Sequence, residues 1–223
     1  MKITYRQILP LYYWIWKIWR EKRFAKFKRI VAPQQIAHLL DVGGVASDWY
    51  GRIDTAARVT TINLGITGKP APPPGSPAID CLEGDARKLP MRDNEFEVIY
   101  SNSVIEHVGD FKDQMAFANE VRRVGVNLWI QTPAFSCPVE PHYLGLFVHW
   151  IPLRWRWFFI RWTSFIGLTG ATGEEGLRAI MNTTRLLTHR EYRRLFPDCE
   201  IWVERMLWVI PKSYVAYRIE NSP

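Results

Sequence analysis

The chain has 223 residues, and its hydrophobic content of 48% excludes an intrinsically disordered protein and suffices for one α/β domain with a sizeable core. Its three cysteines, Cys81, Cys137 and Cys199, are widely spaced, which excludes a disulfide framework and a cysteine-rich metal site and favours a reducing compartment. The net charge of +7 is concentrated in residues 1–30, where nine basic side chains accompany one acidic side chain, so the remainder is nearly neutral.

Residues 1–30 are predicted to form a basic, aromatic helix. Apolar side chains recur every three or four positions from Tyr5 to Trp19, with Pro10 as a kink or boundary. Three interpretations remain open: packing on the domain, an interfacial helix on an anionic membrane, or binding to nucleic-acid phosphates. Because the aromatic residues form one face, a membrane surface is favoured over nucleic acid. The segment is too short and too charged to span a bilayer.

The remainder, residues 31–223, is predicted to be one domain in which strands and helices alternate. Helices are expected over 49–56, capped by Ser47 or Asp48, and over 110–124, while a proline-rich loop over 68–77 replaces a crossover helix. An aromatic and arginine-rich insert, about 134–184, is expected to act as a substrate lid, and Thr188 to cap a helix that ends at Phe196. Strands are expected over 36–42, 59–64, 79–82, 96–100, 126–132, 201–206 and 213–219. This alternation predicts a mostly parallel sheet with covered faces.

Polar residues and glycines follow four of these strands. Ligands of parallel sheets bind beyond the carboxyl ends of the strands, so we expect these positions to converge on one site. Glycines after the first strand allow a sharp turn and close backbone approach to a ligand. The predicted binding residues are Asp41, Gly43, Gly44, Asn63, Leu64, Asp85, Ala86, Ser101 and Asn102.

Together these motifs resemble the class I S-adenosylmethionine-dependent methyltransferases, in particular the UbiE-like, or type 11, group. Asp41 to Gly44 is similar to the glycine motif at the methionine end of the cofactor, and Asp85-Ala86 to the pair at its adenine edge. Residues 97–108 resemble the fourth-strand segment that borders the transfer pocket, whereas Asn63 stands where the family usually has an acid. The resemblance implies a Rossmann-like fold with a seven-stranded sheet and S-adenosylmethionine as cofactor.

Candidate catalytic residues lie after the fourth strand and in the insert. A hydroxyl acceptor of the methyl group would need a nearby base, for which His107 is the first candidate. Glu140 and His142 are expected to close over the acceptor, and Glu106 to point elsewhere. Structural roles for all of these residues remain open. No metal site is predicted, because the spacing of Glu140, His142 and His149 matches no strong metal pattern.

The resulting expectation is a methyltransferase acting on an oxygen or nitrogen atom of a small-molecule or glycan- or lipid-linked acceptor. We expect a cytoplasmic protein that either remains there or binds the inner membrane face through residues 1–30. The alternatives are a module that binds the cofactor without catalysis and, less favoured, an RNA methyltransferase, since the neutral body lacks a broad basic face. Neither the acceptor nor the oligomeric state follows from the sequence.

Overall fold

The fold is given by a computed structural model that describes residues 5–65, 71–142, 144–169 and 173–220. The side chains before Lys17 lie outside the described part, and with them the predicted aromatic face from Tyr5 to Trp16. Nine strands occur in the described residues: β1 Ile36–Val42, β2 Ala56–Asn63, β3 Ala78–Glu83, β4 Phe96–Asn102, β5 Gly125–Pro133, β6 Val139–Glu140, β7 Gly145–Leu146, β8 Glu200–Met206 and β9 Ile210–Arg218.

Seven of these strands form the predicted, mostly parallel sheet, in the order β3-β2-β1-β4-β5-β9-β8. Strands β1 to β5 pair in parallel, β9 is antiparallel to β5, and β8 is antiparallel to β9. Parallel neighbours bring their carboxyl ends to one edge, where Val42 pairs with Ser101 and Asn63 with Glu83. The fold prediction is thus confirmed, including the final pair of strands at the sheet edge.

Helices cover both faces of the sheet. The described residues contain six α-helices: α1 Tyr5–Ile30, α2 Phe111–Val124, α3 Leu153–Thr163, α4 Phe165–Thr169, α5 Gly173–Thr183 and α6 His189–Leu195. Capping boxes fix the starts of two of them, with Asp110 and Asp113 at α2 and Thr188 and Glu191 at α6. The cap predicted at Thr188 is therefore present. No described helix has the length and apolar character needed to cross a bilayer.

One face of the sheet is covered by α2 and α6, through buried residues such as Phe117, Val121 and Tyr192. The other face packs against the second half of α1, where Phe27 is fully buried with Trp129 and Val215. Ion pairs from Arg20 to Asp48 and from Lys28 to Asp54 also join α1 to the domain. The described half of α1 therefore packs on the domain, as the first of the three interpretations expects.

The helix predicted over 49–56 is wrong. A short 3₁₀ helix occupies Ala46–Trp49 instead, and neither Ser47 nor Asp48 caps a helix. Gly51 then takes a left-handed conformation with φ 72°, which ends the turn, and β2 begins at Ala56. Residues 71–77, the described end of the predicted loop before β3, contain no helix. The described parts of these two connections contain no crossover α-helix that could pack on the sheet. The helix α1 covers that face of the sheet instead.

Candidate active site

A cleft of about 450 Å³ lies beyond the carboxyl ends of β1, β2, β3 and β4. Gly43 and Ser103 separate it from an adjoining cavity of about 240 Å³, which reaches Asp41, Gly44 and Asn102. The larger cleft is lined by the predicted residues Gly43, Asn63, Leu64, Asp85 and Ala86, together with Val104 and His107. Residues from four separate strand ends thus converge on one edge of the sheet.

The glycine pair after β1 forms the floor between these two cavities. Gly43 has φ 79°, and a Cβ there would lie 2.4 Å from Cγ2 of Val104. A Cβ on Gly44 would lie 1.7 Å from Oδ2 of Asp41. Both contacts are far shorter than side chains tolerate, so the turn requires glycine at both positions.

Asp41 is held inside the turn and away from bulk solvent. Its Oδ2 accepts a 2.7 Å hydrogen bond from the indole Nε1 of Trp49. Burial raises the pKa of Asp41 to about 7, although the bond from Trp49 acts in the opposite direction. The buried carboxyl group of Asp41 therefore packs against Gly44 and supports the conformation of the glycine turn.

Asn63, at the end of β2, also supports the turn. Its amide nitrogen donates a 2.6 Å hydrogen bond to the backbone oxygen of Gly44. The amide oxygen remains as an acceptor at the cleft wall, where the resemblance expects a residue that contacts the cofactor ribose. Leu64 follows with 77% of its surface exposed, which leaves an apolar side chain at the mouth of the cleft.

Asp85 and Ala86 also line the cleft, directly after β3. Both oxygens of Asp85 accept hydrogen bonds from the guanidinium of Arg87, which also pairs with Asp113. These bonds lower the pKa of Asp85, so its carboxylate is ionised at neutral pH. Arg87 therefore fixes the orientation of the acid that is expected at the adenine edge.

Ser101 and Asn102 end β4 in different environments. Ser101 is fully buried and donates to the backbone oxygen of Val42, which places its side chain within the sheet and not in the cleft. Asn102 lines the smaller cavity, and its Oδ1 accepts a 2.5 Å hydrogen bond from Arg23 of α1. Arg23 is itself buried and pairs with Glu204 of β8 at 3.1 Å.

The three candidate catalytic residues form a hydrogen-bonded chain at the rim of the cleft. Nε2 of His107 lies 3.0 Å from Nε2 of His142, and Nδ1 of His142 lies 2.5 Å from Oε1 of Glu140. Glu106 lies beneath them, fully buried, with Oε2 bonded to the hydroxyl of Thr132. The structure thus joins residues after β4 to residues of the insert.

Burial and neighbouring charges act differently on these groups. Burial lowers the pKa of His107 to about 4, and burial raises the pKa of Glu106 to about 7. For His142 burial alone would lower the pKa, but the hydrogen bond and charge of Glu140, with the charge of Glu106, raise it. The imidazole backed by Glu140 is therefore the one that holds a proton more readily.

Two members of the site differ from the sequence-based expectation. Glu106 was expected to point elsewhere, on an α-helix, but residues 105–107 form a 3₁₀ turn that buries its side chain below His142. The sequence indicates Arg23 only as one of the positive charges of the basic segment. Its partners Asn102 and Glu204 could not be predicted, because they are remote in sequence. His149 is not in the cluster, since its ring bonds to the backbone oxygen of Phe135.

Residues 43–126 match the family model described as a methyltransferase domain. By domain and by fold, the chain is a methyltransferase. The resemblance to S-adenosylmethionine-dependent methyltransferases is thereby confirmed at the level of domain and fold. The matched segment contains the glycine turn, Asn63, Asp85 and His107 but not the insert with Glu140 and His142. The domain therefore identifies the cofactor side of the site and leaves the acceptor undetermined.

Solved structures confirm the fold of this methyltransferase domain. Magnesium protoporphyrin IX methyltransferase from Synechocystis, solved with bound S-adenosylhomocysteine, is 10% identical, with a TM-score of 0.53 over 98% of this chain and 90% of that one. A methyltransferase from Methanosarcina mazei is 15% identical, with a TM-score of 0.50 over 82% and 92% of the two chains. No protein with curated annotation matches the sequence.

Proposed function

We propose that this methyltransferase transfers the methyl group of S-adenosylmethionine to a polar acceptor, with a hydroxyl oxygen preferred over nitrogen. The acceptor would be a small molecule or the polar part of a glycan- or lipid-linked molecule. The observation that carries the proposal is the position of His107, which lines the cofactor cleft and is hydrogen-bonded through His142 to the buried Glu140. A base beside the methyl donor is what a hydroxyl acceptor needs.

The residues of the cleft fit the cofactor. Gly43 lines the cleft without a side chain of its own, and the amide oxygen of Asn63 is suited to accept from a ribose hydroxyl. Asp85, oriented by Arg87, is an acceptor for an amine at the adenine edge. In the adjoining cavity, N–H groups of Arg20 and Arg23 that their ion pairs with Asp48 and Glu204 do not use would donate to a carboxylate at the methionine end. When bound, S-adenosylmethionine supplies an electrophilic methyl group on a sulfonium.

The work of the protein would be to position the acceptor and to remove its proton. Holding the reacting atoms at near-attack distance provides most of the acceleration expected for a displacement of this kind. Nε2 of His107 shares a hydrogen bond with Nε2 of His142, so this bond would have to open before either nitrogen takes the proton of the acceptor. Glu140 continues the chain inward through Nδ1 of His142. Glu140 thereby orients His142 and would stabilise a positive charge on it.

A third cavity, of about 340 Å³, is lined by Glu140 and supports the proposal of a polar acceptor. Arg156 and Arg185 line it, with Glu191 and Thr184, so its wall is polar and carries charges of both signs. The hydroxyl of Thr184 is buried and has no hydrogen-bond partner in the described part of the chain. A ligand with several hydroxyl groups suits such a wall better than an apolar ring system.

The proposal is tested by methyl transfer from labelled S-adenosylmethionine to panels of hydroxylated and aminated acceptors. For an acceptor that is found, His107→Ala and Glu140→Gln should each lower kcat by about 10²-fold or more. Glu140→Gln, which lies outside the lining of the cofactor cleft, should leave the affinity for S-adenosylhomocysteine unchanged. His189→Ala, at an exposed position of α6 outside this chain of hydrogen bonds, is the matched control. Full cofactor binding without turnover on any acceptor would instead favour a cofactor-binding module without catalysis.

A lipid-linked acceptor is favoured by one specific surface. Trp155, Phe158 and Trp162 lie on one side of α3 at positions i, i+3 and i+7, each more than half exposed. Arg154 and Arg161 are exposed on the same helix. Tryptophan beside arginine is typical of a helix that lies at an anionic membrane surface. We therefore propose α3 as the membrane contact of the insert.

Flotation with vesicles containing phosphatidylglycerol tests this contact. The full-length protein should float with anionic vesicles and not with neutral ones. Replacing Trp155, Phe158 and Trp162 together by alanine should abolish flotation. Trp208→Ala removes another aromatic side chain, 93% exposed in the β8–β9 turn, and serves as the control. No flotation of the unaltered protein would contradict a role for the membrane.

A further inference from the structure

Glu106, His107 and His142 bring three potential metal-ligand atoms together at the rim of the cleft. One carboxylate oxygen and one ring nitrogen from each histidine all lie within 4.8 Å of one another. Oε1 of Glu106 is fully buried, has no hydrogen-bond partner in the described residues, and lies 4.0 Å from Nε2 of His142. A buried acceptor without a partner is costly, so something is expected to satisfy it.

Two of the three side chains are held in place by a further group. Glu140 bonds to Nδ1 of His142, which leaves Nε2 directed at the cluster. Thr132 bonds to Oε2 of Glu106, which leaves Oε1 directed there as well. Support of this kind, including a carboxylate behind a histidine, is typical of the surroundings of metal ligands.

We propose that Glu106, His107 and His142 bind a divalent transition-metal ion, with zinc as the best-matched species. Two imidazole nitrogens and one carboxylate oxygen are a ligand set for zinc sites that retain an open position. Zinc–nitrogen bonds of about 2.0–2.1 Å in tetrahedral geometry separate the two nitrogens by about 3.3 Å. The two Nε2 atoms lie 3.0 Å apart and Oε1 of Glu106 lies 4.0 Å from Nε2 of His142, so an ion would require a small opening of the histidine pair and a small approach of the carboxylate.

The open coordination position of the ion would bind the acceptor in the proposed methyl transfer. This part of the inference rests on that function. His107 lines the cofactor cleft, so an ion on its Nε2 has its free position near the donor side. An acceptor oxygen bound there would be oriented and would lose its proton more readily. The ion would then replace the hydrogen bond between the two histidines as the group that prepares the acceptor.

The decisive measurement is calorimetric titration of the metal-depleted full-length protein with Zn²⁺, in parallel with S-adenosylhomocysteine. One zinc ion should bind per chain. His107→Ala and His142→Ala should each weaken zinc binding at least 100-fold, and Glu140→Gln, which acts through His142, by about 10- to 100-fold. His189→Ala should leave it unchanged. Cofactor affinity should survive in His142→Ala and Glu140→Gln, which lie outside the lining of the cofactor cleft, so failure of the metal site and failure of cofactor binding are distinguished.

The visible spectrum of the Co²⁺-loaded, unsubstituted protein provides a second readout that does not depend on variants. Tetrahedral or five-coordinate cobalt on nitrogen and oxygen ligands absorbs strongly in the visible, whereas the aqueous octahedral ion absorbs weakly. The intense bands should appear at one equivalent and disappear when Zn²⁺ is added. Absence of stoichiometric zinc binding, a spectrum of the aqueous ion, or zinc binding that persists in both histidine variants would each overturn the proposal.

Discussion

At the scale of single residues, the glycine turn is the most constrained part of the site. Asp41 fits beneath Gly44 only because that residue has no Cβ, and Trp49 then holds the carboxyl group by its indole N–H. The cofactor side is thus shaped by backbone and by one buried acid. Substitutions at these positions should weaken cofactor binding more than they change the binding of the acceptor.

Gly44→Ala should lower the affinity for S-adenosylhomocysteine at least tenfold. The added methyl group would occupy the position of Asp41 Oδ2, so the acid and the turn would both have to move. Calorimetry measures the loss of affinity. Gly65→Ala is the matched control, because a Cβ there meets nothing within 4 Å. Equal affinity in the unaltered protein and the Gly44 variant would contradict the assigned role of this turn.

Asp41→Asn should change how stability depends on pH. Burial raises the folded-state pKa of Asp41 to about 7, above its unfolded value, so its contribution is fully present below about pH 4 and is lost as the pH rises to about 7. The neutral amide can still accept from Trp49 and has no such dependence. Relative to the variant, the unaltered protein should lose up to about 4 kcal/mol of unfolding free energy across this window.

Urea unfolding of the two proteins at pH 4, 5.5, 7 and 8 measures the difference. Other titrating groups are common to both proteins, so their contributions cancel in the comparison. Parallel curves for the unaltered protein and Asp41→Asn would contradict a raised folded-state pKa.

At the scale of elements, α1 has a structural role that its charge alone does not indicate. Phe27 lies fully buried between Tyr100 and Trp129, with ring centroids at 5.0 and 5.6 Å. Arg23, Arg20 and Lys28 are paired with acids of the domain, which reduces the positive charge available to an outside partner. The second half of α1, which belongs to the basic segment, therefore covers one face of the sheet.

Phe27→Ala should destabilise the domain by about 3–5 kcal/mol, because it opens a cavity against the sheet. Arg29→Ala, an exposed position on the same helix, should change the unfolding free energy by no more than about 0.5 kcal/mol. Denaturant titration followed by tryptophan fluorescence compares the two. A small effect at Phe27 would mean that α1 is dispensable to the sheet.

At the scale of the whole molecule, the sheet and the convergence at its edge were predictable from local patterns. Apolar runs mark β1, β4 and β5, and a parallel sheet must gather their ends at one edge. The burial of Glu106 was not predictable, because it depends on contacts with Thr132 and His142, residues remote in sequence. The link from Arg23 to Asn102 escaped prediction for the same reason.

Binding of S-adenosylhomocysteine should stabilise the whole domain, since the cleft joins four strand ends. At 100 times the dissociation constant, the gain is about 2.7 kcal/mol, or roughly 5–10 °C in Tm for a chain of this size. Differential scanning fluorimetry measures the shift. Gly44→Ala should show a smaller shift at the same concentration, and equal shifts would contradict binding at the glycine turn.

The ion pair between Arg23 and Glu204 joins residues 181 positions apart in the chain. The sheet face beneath α1 can therefore close only after β8 and β9 have been synthesised, and until then Phe27 and Trp129 have an incomplete set of neighbours. Such distant pairing slows folding. A nascent chain would consequently expose aromatic surface for most of its synthesis, and rapid overexpression should drive it towards inclusion bodies more than slow expression does.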